Sequence, residues 1–209
     1  MIIHPIRVRR KKALSQTSSK QYPLVSVIVP MHNTEEYIKE CLDSIFSQSY
    51  SHLEVIVIND SSEDHSREIA AAYPVKLIDV EYRNVSKTRN EGLKIAHGKY
   101  ITFLDSDDIW HKERIKKHID LLESNQSIGA VISDGEKFNN KGKYWITNHL
   151  KNISGFIDHN TMLDKLLKWG FIYFSAITVR KELLDKTGFF DERLTHCEDH
   201  YMWMKLALY

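Results

Sequence analysis

Several kinds of residue are scarce in this 209-residue chain, and each scarcity excludes a class of protein. Two cysteines, Cys41 and Cys197, are too few for a disulfide framework, so both are expected to be reduced thiols. Four prolines and eight glycines exclude collagen-like and low-complexity chains. The most apolar stretch of the second half, 171–179, is too short to span a bilayer, and the N-terminus lacks the apolar segment of a secretory signal. We therefore expect a cytoplasmic protein.

Charge is distributed unevenly along the chain. Six basic and no acidic side chains lie in the first 20 residues, which leaves 23 basic against 28 acidic residues in 21–209 and a net charge of about −5 there. Such a body is not suited to hold a nucleic-acid backbone, so no nucleic-acid partner is expected. We interpret residues 1–22 as a basic, disordered leader. The alternative is a weak peripheral contact of this leader with anionic lipid at the inner face of the membrane.

Residues 23–209 have the pattern of one α/β domain. Short apolar runs rich in β-branched residues alternate with segments of helical spacing, which predicts a doubly wound, mostly parallel sheet flanked by helices. Asn33, with Glu36 three residues later, is predicted to cap the first helix, and Gly98 to end a helix over 86–97. Strands are predicted at 24–29, 53–58, 75–80, 99–104, 128–133 and 171–179. Further helices are predicted from Ser62 or Asp64 to about Ala72, at 112–124, at 161–169 and from Glu198.

Polar residues directly follow three of the predicted strands, at 30–33, 59–62 and 105–108. In a doubly wound sheet, ligands bind beyond the carboxyl ends of the strands, so these residues are the first candidates for a site. Asp105 and Asp107 would face the same side on extended backbone and could bind one hard divalent cation, with coordination positions left for water and phosphate oxygens. The alternative is an Asp-rich turn in which one aspartate caps a helix near Trp110.

The other two strand ends suggest contacts to a nucleoside. The carboxylate of Asp60 could accept hydrogen bonds from a nucleobase or a ribose hydroxyl, or it could bond its own backbone in a turn. His32 could stack on a base or be a solvated loop residue. Arg89 could pair with diphosphate oxygens or with the carboxylates of the site, and its alternative is a solvated helix charge.

Two carboxylates open the last predicted helix, Glu198 and Asp199. A carboxylate there could take a proton from an acceptor hydroxyl, although acidic residues also favour the first turn of any helix. His196, Cys197 and His200 allow a zinc site as an alternative, but a fourth ligand is not evident.

Four segments, in this order, resemble the motifs of the family 2 glycosyltransferases with the GT-A fold: VSVIVPMHN, VIVINDSSED, VSKTRNEGLKIAHGKYITFLDSDDIW and GFFDERLTHCEDHYMW. The resemblance runs from about Leu24 to the last residue. It implies an inverting transferase that moves a sugar from a nucleotide-diphosphate sugar to a glycan or lipid-linked acceptor with Mn²⁺ or Mg²⁺, in cell-surface polysaccharide or glycan synthesis. Residues 23–134 would form the Rossmann-like, nucleotide-sugar-binding half and 135–209 the acceptor-side half.

The resemblance also implies roles for individual residues. Pro30 and His32 would line the nucleoside pocket, and Asp60 would read the base. Arg89 would lie beside the donor. Asp105 and Asp107 would form the metal and diphosphate motif, with Asp107 the more direct ligand, and Asp199 would be the general base.

The chain departs from the family pattern at a few positions. The family usually has tyrosine where this chain has His32 and a second aspartate where it has Asn59. A UDP-sugar donor is expected from the resemblance, and these two departures predict altered recognition of its base. The chain ends ten residues after Asp199, where family members commonly continue with more helix, so we expect either a fragment or a minimal acceptor side. The alternatives are a catalytically silent nucleotide-sugar-binding domain of a polysaccharide assembly and a sugar nucleotidyltransferase. Residues 30–36 contain no Gly, Lys or Arg to hold a triphosphate, which counts against the latter.

Overall fold

The computed structural model describes residues 22–138, 144–146, 155–170 and 172–209. The predicted basic leader thus lies outside the described residues, apart from Tyr22. The strands of the main sheet are β1 (Val25–Met31), β2 (Leu53–Asp60), β3 (Lys76–Val80), β4 (Tyr100–Phe103), β5 (Ala130–Ile132) and β8 (Ile177–Arg180). A second sheet pairs β6 (Glu136–Phe138) with β7 (Tyr144–Ile146). The helices are α1 (Ile38–Phe46), α2 (Ser66–Ala71), α3 (Val85–Ile95), α4 (Arg114–Ser124), α5 (His159–Lys168), α6 (Lys181–Thr187) and α7 (Glu198–Leu206).

The main sheet has six strands in the order β3–β2–β1–β4–β8–β5. β1, β2, β3 and β4 are parallel, and β8 runs antiparallel between β4 and β5. The predicted mixed α/β architecture with a mostly parallel sheet is confirmed. The prediction for 171–179 is wrong in its bounds, because a 3₁₀ turn at Phe174–Ala176 precedes β8.

Helices cover both faces of the sheet because the buried side chains of the strands alternate in direction. Val25, Val27 and Val29 of β1 pack with α1, α2 and α4. Ile28 of the same strand belongs to the opposite core, with side chains of α3, α5, α6 and α7. This second core brings α7, at the end of the chain, to the same face of the sheet as α3.

Close packing also fixes α3 against the sheet. A Cβ atom at Gly92 would lie 2.6 Å from Cγ2 of Ile28, so the absence of a side chain lets the helix approach β1. Gly98 does not cap α3 as predicted, because the helix ends at Ile95 and its C-cap is Ala96. The N–H of Gly98 instead donates to Oγ of Ser26 at 2.8 Å.

The predicted cap of the first helix is also wrong. α1 begins at Ile38 after the N-cap Tyr37, and neither Asn33 nor Glu36 caps it. Asn33 has φ 50° and links two loops instead: its N–H donates to Oγ of Ser62 at 3.0 Å, and its Oδ1 accepts from the N–H of Glu63 at 2.8 Å. Among the described residues, no helix is long and apolar enough to cross a membrane.

Candidate active site

A cavity of about 540 Å³ opens at the carboxyl ends of β1, β2 and β4. Its volume lies in the range of roughly 300–1,000 Å³ that is typical of small-molecule sites. The loops after these strands and the first turn of α3 form its walls, which is the position expected for a ligand in a doubly wound sheet. The lining residues are Pro30, Met31, His32, Asn33, Thr34, Asp60, Glu63, Arg83, Asn84, Val85, Thr88, Asp105, Ser106 and Asp107.

Asp60, at the end of β2, organises the loop between β3 and α3. Its Oδ1 accepts hydrogen bonds from the N–H groups of Tyr82 at 2.8 Å and Arg83 at 2.9 Å. Its Oδ2 accepts from the N–H of Asn84 at 3.1 Å and the hydroxyl of Thr88 at 2.8 Å. Burial alone would raise the pKa of Asp60, but these hydrogen bonds outweigh it and lower the pKa below its usual value. Asp60 is therefore an anion that holds one wall of the cavity in shape.

The end of β1 is joined to the end of β2 through His32. The carbonyl oxygen of Asp60 lies 2.6 Å from Nδ1 of His32. Because a carbonyl only accepts hydrogen bonds, Nδ1 must carry the proton, which leaves Nε2 as the acceptor in the neutral ring. The ring itself is exposed at the edge of the cavity, while Pro30 is buried in the strand. His32 can thus present a flat aromatic face to a ligand.

The aspartates after β4 lie in a tight turn and not on extended backbone. The N–H of Asp108 donates to the carbonyl of Asp105 at 3.0 Å, which closes the turn. The prediction that Asp105 and Asp107 face the same side of an extended strand is therefore wrong. Both residues still line the cavity, Asp105 half-buried and Asp107 exposed.

Ser175 holds this turn from the 3₁₀ segment before β8. Its Oγ accepts from the N–H of Asp105 at 3.0 Å and donates to Oδ2 of Asp108 at 2.5 Å. The sequence pattern gave no reason to select Ser175, since it lies 70 residues beyond Asp105 in an apolar segment. Thr88 was missed for a similar reason, because a threonine inside a helix carries no signal that its hydroxyl binds a carboxylate.

Negative charge accumulates at the turn. Burial raises the pKa of Asp105 to about 6; Arg89 lowers it, and the charges of Asp108 and Asp107 raise it further. Burial also raises the pKa of Asp108, against the hydrogen bond from Ser175 and together with the charge of Asp107. A divalent cation would relieve this repulsion, so the residues present fit a hard cation bound by Asp105 and Asp107. The described part of the chain holds no group of three or more potential ligands, so the remaining ligands would be water or oxygens of a bound molecule.

Arg89 does not line the cavity but lies behind it, in the interior. Its Nη2 donates to Oδ1 of Asp105 at 3.3 Å and its Nη1 to Oε1 of Glu198 at 2.5 Å. The interpretation of Arg89 as a solvated helix charge is wrong, because the side chain is only 6% exposed. In the structure, this guanidinium pairs with carboxylates of the site, which is one of the two functional roles suggested by the sequence.

Asp199 is half-buried in the first turn of α7, next to Glu198. Its Oδ1 accepts a hydrogen bond from the N–H of His200 at 2.6 Å. The helix end is thus near the turn that contains Asp105, because Glu198 and Asp105 share one guanidinium. His196, Cys197 and His200 do not form a zinc site, since no group of three candidate ligands occurs within the described ranges.

Comparison with known proteins assigns the chain to a family. A family model described as Glycosyl transferase family 2 matches residues 26–188, which is most of the chain. The chain belongs to glycosyltransferase family 2. This family 2 chain is 30% identical over 188 residues to the Escherichia coli UDP-Glc:alpha-D-GlcNAc-diphosphoundecaprenol beta-1,3-glucosyltransferase WfgD, with 88% of the chain and 69% of that enzyme covered. It is 40% identical over 109 residues to an uncharacterized glycosyltransferase of Bacillus subtilis, EpsJ, with 50% of the chain and 32% of that protein covered.

Solved structures resemble this family 2 chain over most of its length. The crystal structure of S. aureus TarS 1–349 in complex with UDP-GlcNAc has a TM-score of 0.72 and 28% identity, covering 88% of the chain and 53% of TarS 1–349. A mannosyltransferase from Pyrobaculum calidifontis, solved with GDP-Man and Mn²⁺, has a TM-score of 0.64 at 22% identity and supports the fold alone. The predicted GT-A fold is therefore confirmed. The chain spans 27% of a Rickettsia bellii relative and 58% of a Rickettsia prowazekii relative.

Proposed function

We propose that this family 2 chain transfers a sugar, with inversion, from a UDP-sugar to an acceptor hydroxyl of a glycan or lipid-linked acceptor. The observation that carries the proposal is the cavity, where a loop ordered by Asp60 faces the carboxylates of Asp105 and Asp107. The relatives support the donor class, since TarS was solved with UDP and with UDP-GlcNAc. The name of WfgD specifies a UDP-Glc donor and a diphosphoundecaprenol-linked acceptor, which supports a role in polysaccharide synthesis.

The two sides of the cavity suit the two ends of a nucleoside diphosphate. The nucleoside would lie against the loops after β1 and β2, where the exposed ring of His32 offers a stacking surface and Pro30 an apolar floor. Asp60 would contribute mainly by holding the backbone of 82–84, because five protein donors, with the hydroxyl of Ser61 at 3.3 Å the longest bond, already occupy its carboxylate. The diphosphate would then lie towards Asp105 and Asp107.

The carboxylates after β4 and the diphosphate of the donor are all negatively charged. They cannot share this end of the cavity unless a cation compensates their repulsion. Asp105 and Asp107 would hold Mn²⁺ or Mg²⁺, which as a Lewis acid would stabilise the charge that develops on the departing diphosphate. The raised pKa of Asp105, about 6, is consistent with a carboxylate that lacks a full complement of positive partners in the free protein. The turn fixed by Ser175 keeps both side chains at the cavity edge before any ligand arrives.

Inversion requires one base on the side of the sugar opposite the leaving group. Asp199 would accept the proton of the acceptor hydroxyl while the oxygen attacks the anomeric carbon, and the bond to the diphosphate would break. A single displacement needs only this carboxylate, whereas retention by double displacement would need a second, nucleophilic one. The N–H of His200, bonded to Oδ1 of Asp199, leaves Oδ2 available as the proton acceptor.

A donor-binding domain without transferase activity is a second candidate. The observation that favours it is that the cavity is lined only by residues up to Asp107 among those described, so the half of the chain after 135 adds nothing to its walls. Both candidates predict donor binding, and only the first predicts transfer.

A panel of sugar nucleotides with Mn²⁺ tests the proposal. Thermal shift would report binding, and released nucleoside diphosphate, with glycan and lipid-linked acceptors present, would report transfer. We expect UDP-sugars to raise the melting temperature and one of them to release UDP only when an acceptor is added. Binding without release under any acceptor condition would favour the silent domain, and binding of nucleoside triphosphates in preference to UDP-sugars would contradict both candidates.

A further inference from the structure

Arg89 joins two parts of the site that are distant in sequence. One arm of its guanidinium bonds Asp105, 16 residues away on the donor side, and the other bonds Glu198, 109 residues away in the first turn of α7. With a side chain only 6% exposed, Arg89 bonds the carboxylates of the site rather than solvent. A single guanidinium thus fixes the separation between these two carboxylates, because its planar geometry allows few arrangements.

Aromatic rings hold the guanidinium in one orientation. The guanidinium carbon lies 3.5 Å from the ring centroid of Phe174 and 5.6 Å from that of Phe190. The Nε–H of Arg89 is buried and has no hydrogen-bond partner among the described residues. Stacking on an aromatic face stabilises a cation, and more strongly when the pair is desolvated, so turning the group away would be unfavourable.

The first turn of α7 needs such an external contact because it lacks a capping side chain. Its N-cap, Cys197, has φ 56° and ψ 23°, a left-handed conformation, and makes no side-chain cap hydrogen bond. This conformation is unfavourable for a residue with a β-carbon, because that atom lies too close to the following carbonyl oxygen. The ion pair of Glu198 with Arg89 ties this turn to the rest of the site.

We propose that Arg89 and Glu198 are positioning residues that fix the first turn of α7, and with it the Asp199 carboxylate, relative to the turn that contains Asp105. The inference rests on the proposed function, since it concerns the placement of the proposed base. Asp199 follows Glu198 in the same helical turn, so a shift of Glu198 moves Asp199 with it. Arg89 then acts through the two carboxylates and not by contact with the donor.

Kinetics of Glu198→Gln, Arg89→Lys and the double variant test the proposal, with calorimetry of UDP binding in Mn²⁺ alongside. We expect each single variant to lower kcat by about 10- to 100-fold, because displacing a reacting group by about 1 Å has effects of this size. The Kd for UDP should stay within about threefold of wild type, since neither side chain lines the cavity. The double variant should be no more than about threefold slower than the slower single variant, because both changes remove one interaction.

Arg180→Lys is the matched control for loss of a buried guanidinium. Arg180 lies on β8, where its side chain bonds Tyr100 Oη at 3.0 Å and the carbonyl of Ile128 at 2.7 Å. We expect this variant to melt at a lower temperature than wild type with an unchanged kcat. If Arg89→Lys lowers kcat no more than Arg180→Lys does, the loss reflects stability and the proposal is wrong.

Other outcomes would overturn the inference and leave the proposed function standing. The first is a kcat of Glu198→Gln within about twofold of wild type, and the second is a double variant whose loss of kcat equals the product of the losses in the two single variants. The third is an Arg89→Lys variant that binds UDP more than about tenfold more weakly with unchanged kcat. The last would show that Arg89 acts on donor binding, by contact or through Asp105, and not on the position of α7. A wild-type chain that binds UDP and transfers no sugar to any acceptor would overturn the proposed function itself, and this inference with it.

Discussion

Single carboxylates in this site differ in their surroundings, and the surroundings determine what each can do. Asp60 is 5% exposed and receives four strong hydrogen bonds from the protein, which lower its pKa. Asp105 has Arg89 as its partner and a pKa raised to about 6 by burial. Asp107 is exposed at the cavity edge. A fully bonded carboxylate serves the architecture, whereas one with free oxygens can bind a cation.

Replacing Asp60 with asparagine tests its architectural role. The amide can accept hydrogen bonds only through one oxygen, so two or more donors from 82–88 lose their acceptor. We expect the free energy of unfolding to fall by about 2–4 kcal/mol and the affinity for UDP by at least about tenfold, because the wall of the cavity loosens. Urea unfolding and calorimetry measure the two effects.

Asp79→Asn is the control for this change. Asp79 is an exposed aspartate of the neighbouring strand that pairs with Arg67 at 2.9 Å. Loss of this surface pair should lower the free energy of unfolding by about 1 kcal/mol or less and leave UDP binding unchanged. Equal effects of the two substitutions would contradict the role given to Asp60.

Asp199→Asn tests the proposed base at the same scale. The asparagine side chain keeps the hydrogen bond to the N–H of His200 but cannot accept a proton. We expect kcat to fall by at least about 10³-fold while the Kd for UDP stays within about twofold. Asp185→Asn, an exposed aspartate on α6, should leave both values unchanged. Transfer by Asp199→Asn within a few-fold of wild type would assign the base to another residue.

Individual site residues were predictable where a strand ended in a polar cluster. Asp60, His32, Asp105 and Asp107 all follow predicted strands, and all line the cavity. The sequence did not predict that Ser175 holds the aspartate turn, because this contact spans 70 residues of chain. Nor did it predict Glu198 as the partner of Arg89, because this contact spans 109 residues. Spacing along a sequence reports neighbours within one element, and it contains no information on pairs that only folding brings together.

At the scale of helices and strands, most of the elements were predictable, but the caps predicted for α1 and α3 were wrong. α1 and α3 occur where helices were predicted, but Asn33 and Gly98 do not cap them. Both residues are instead used in contacts between loops and strands, Asn33 with 62–63 and Gly98 with Ser26. Tertiary contacts override the local preference of a polar or flexible residue because they satisfy more backbone groups.

Gly98→Ala tests the contact between the α3–β4 connection and β1. A Cβ atom there would lie 2.5 Å from the backbone nitrogen of Ser26 and 2.7 Å from the carbonyl oxygen of Tyr100, so the backbone must move. We expect the free energy of unfolding to fall by about 1–3 kcal/mol in urea denaturation.

Gly129→Ala provides the comparison, because its Cβ would meet only the end of the Leu183 side chain, at 2.9 Å. That side chain can rotate, so the change should lower the free energy of unfolding by less than about 1 kcal/mol. A Gly98→Ala variant as stable as Gly129→Ala would show that the β1 contact is not tight in solution.

The packing of α4 on β8 makes stability depend on pH. His118 is 4% exposed, and its Nδ1 lies 2.9 Å from Oγ1 of Thr178. Burial, together with the charge of Arg114, lowers the pKa of His118 to about 2. The unfolded chain therefore binds a proton below about pH 6.5 that the folded chain does not bind, and the free energy of unfolding falls by about 1.4 kcal/mol per pH unit from there towards pH 2.

His118→Gln should remove this dependence. Between pH 7.5 and 5.0, we expect wild type to lose about 2 kcal/mol more of its free energy of unfolding than the variant does in urea titrations. His111→Gln, a change at an exposed histidine, should keep the wild-type slope. If the free energy of unfolding changes equally with pH in wild type and in His118→Gln, then His118 is protonated to the same extent in the folded and the unfolded chain. That result would contradict the prediction.

For the whole molecule, the order of strands positions every part of the site. The parallel strands β1, β2 and β4 bring three polar loops to one edge, and β8 enters antiparallel beside β4 so that Ser175 reaches the aspartate turn. The mostly parallel sheet was predictable because its strands alternate with helices along the chain. The insertion of β8 between β4 and β5 was not, since its pairing with β4 joins residues about 80 positions apart.

Calorimetry of UDP binding with and without Mn²⁺ tests most directly whether the aspartate turn holds a cation that holds the diphosphate. For wild type, we expect Mn²⁺ to tighten UDP binding by at least about tenfold, and for Asp107→Ala we expect no gain from Mn²⁺, since the exposed carboxylate facing the cavity is gone. Asp120→Ala, a change at an exposed aspartate of α4, should behave as wild type. If Mn²⁺ strengthens UDP binding to Asp107→Ala as much as to wild type, the cation does not bind at this turn.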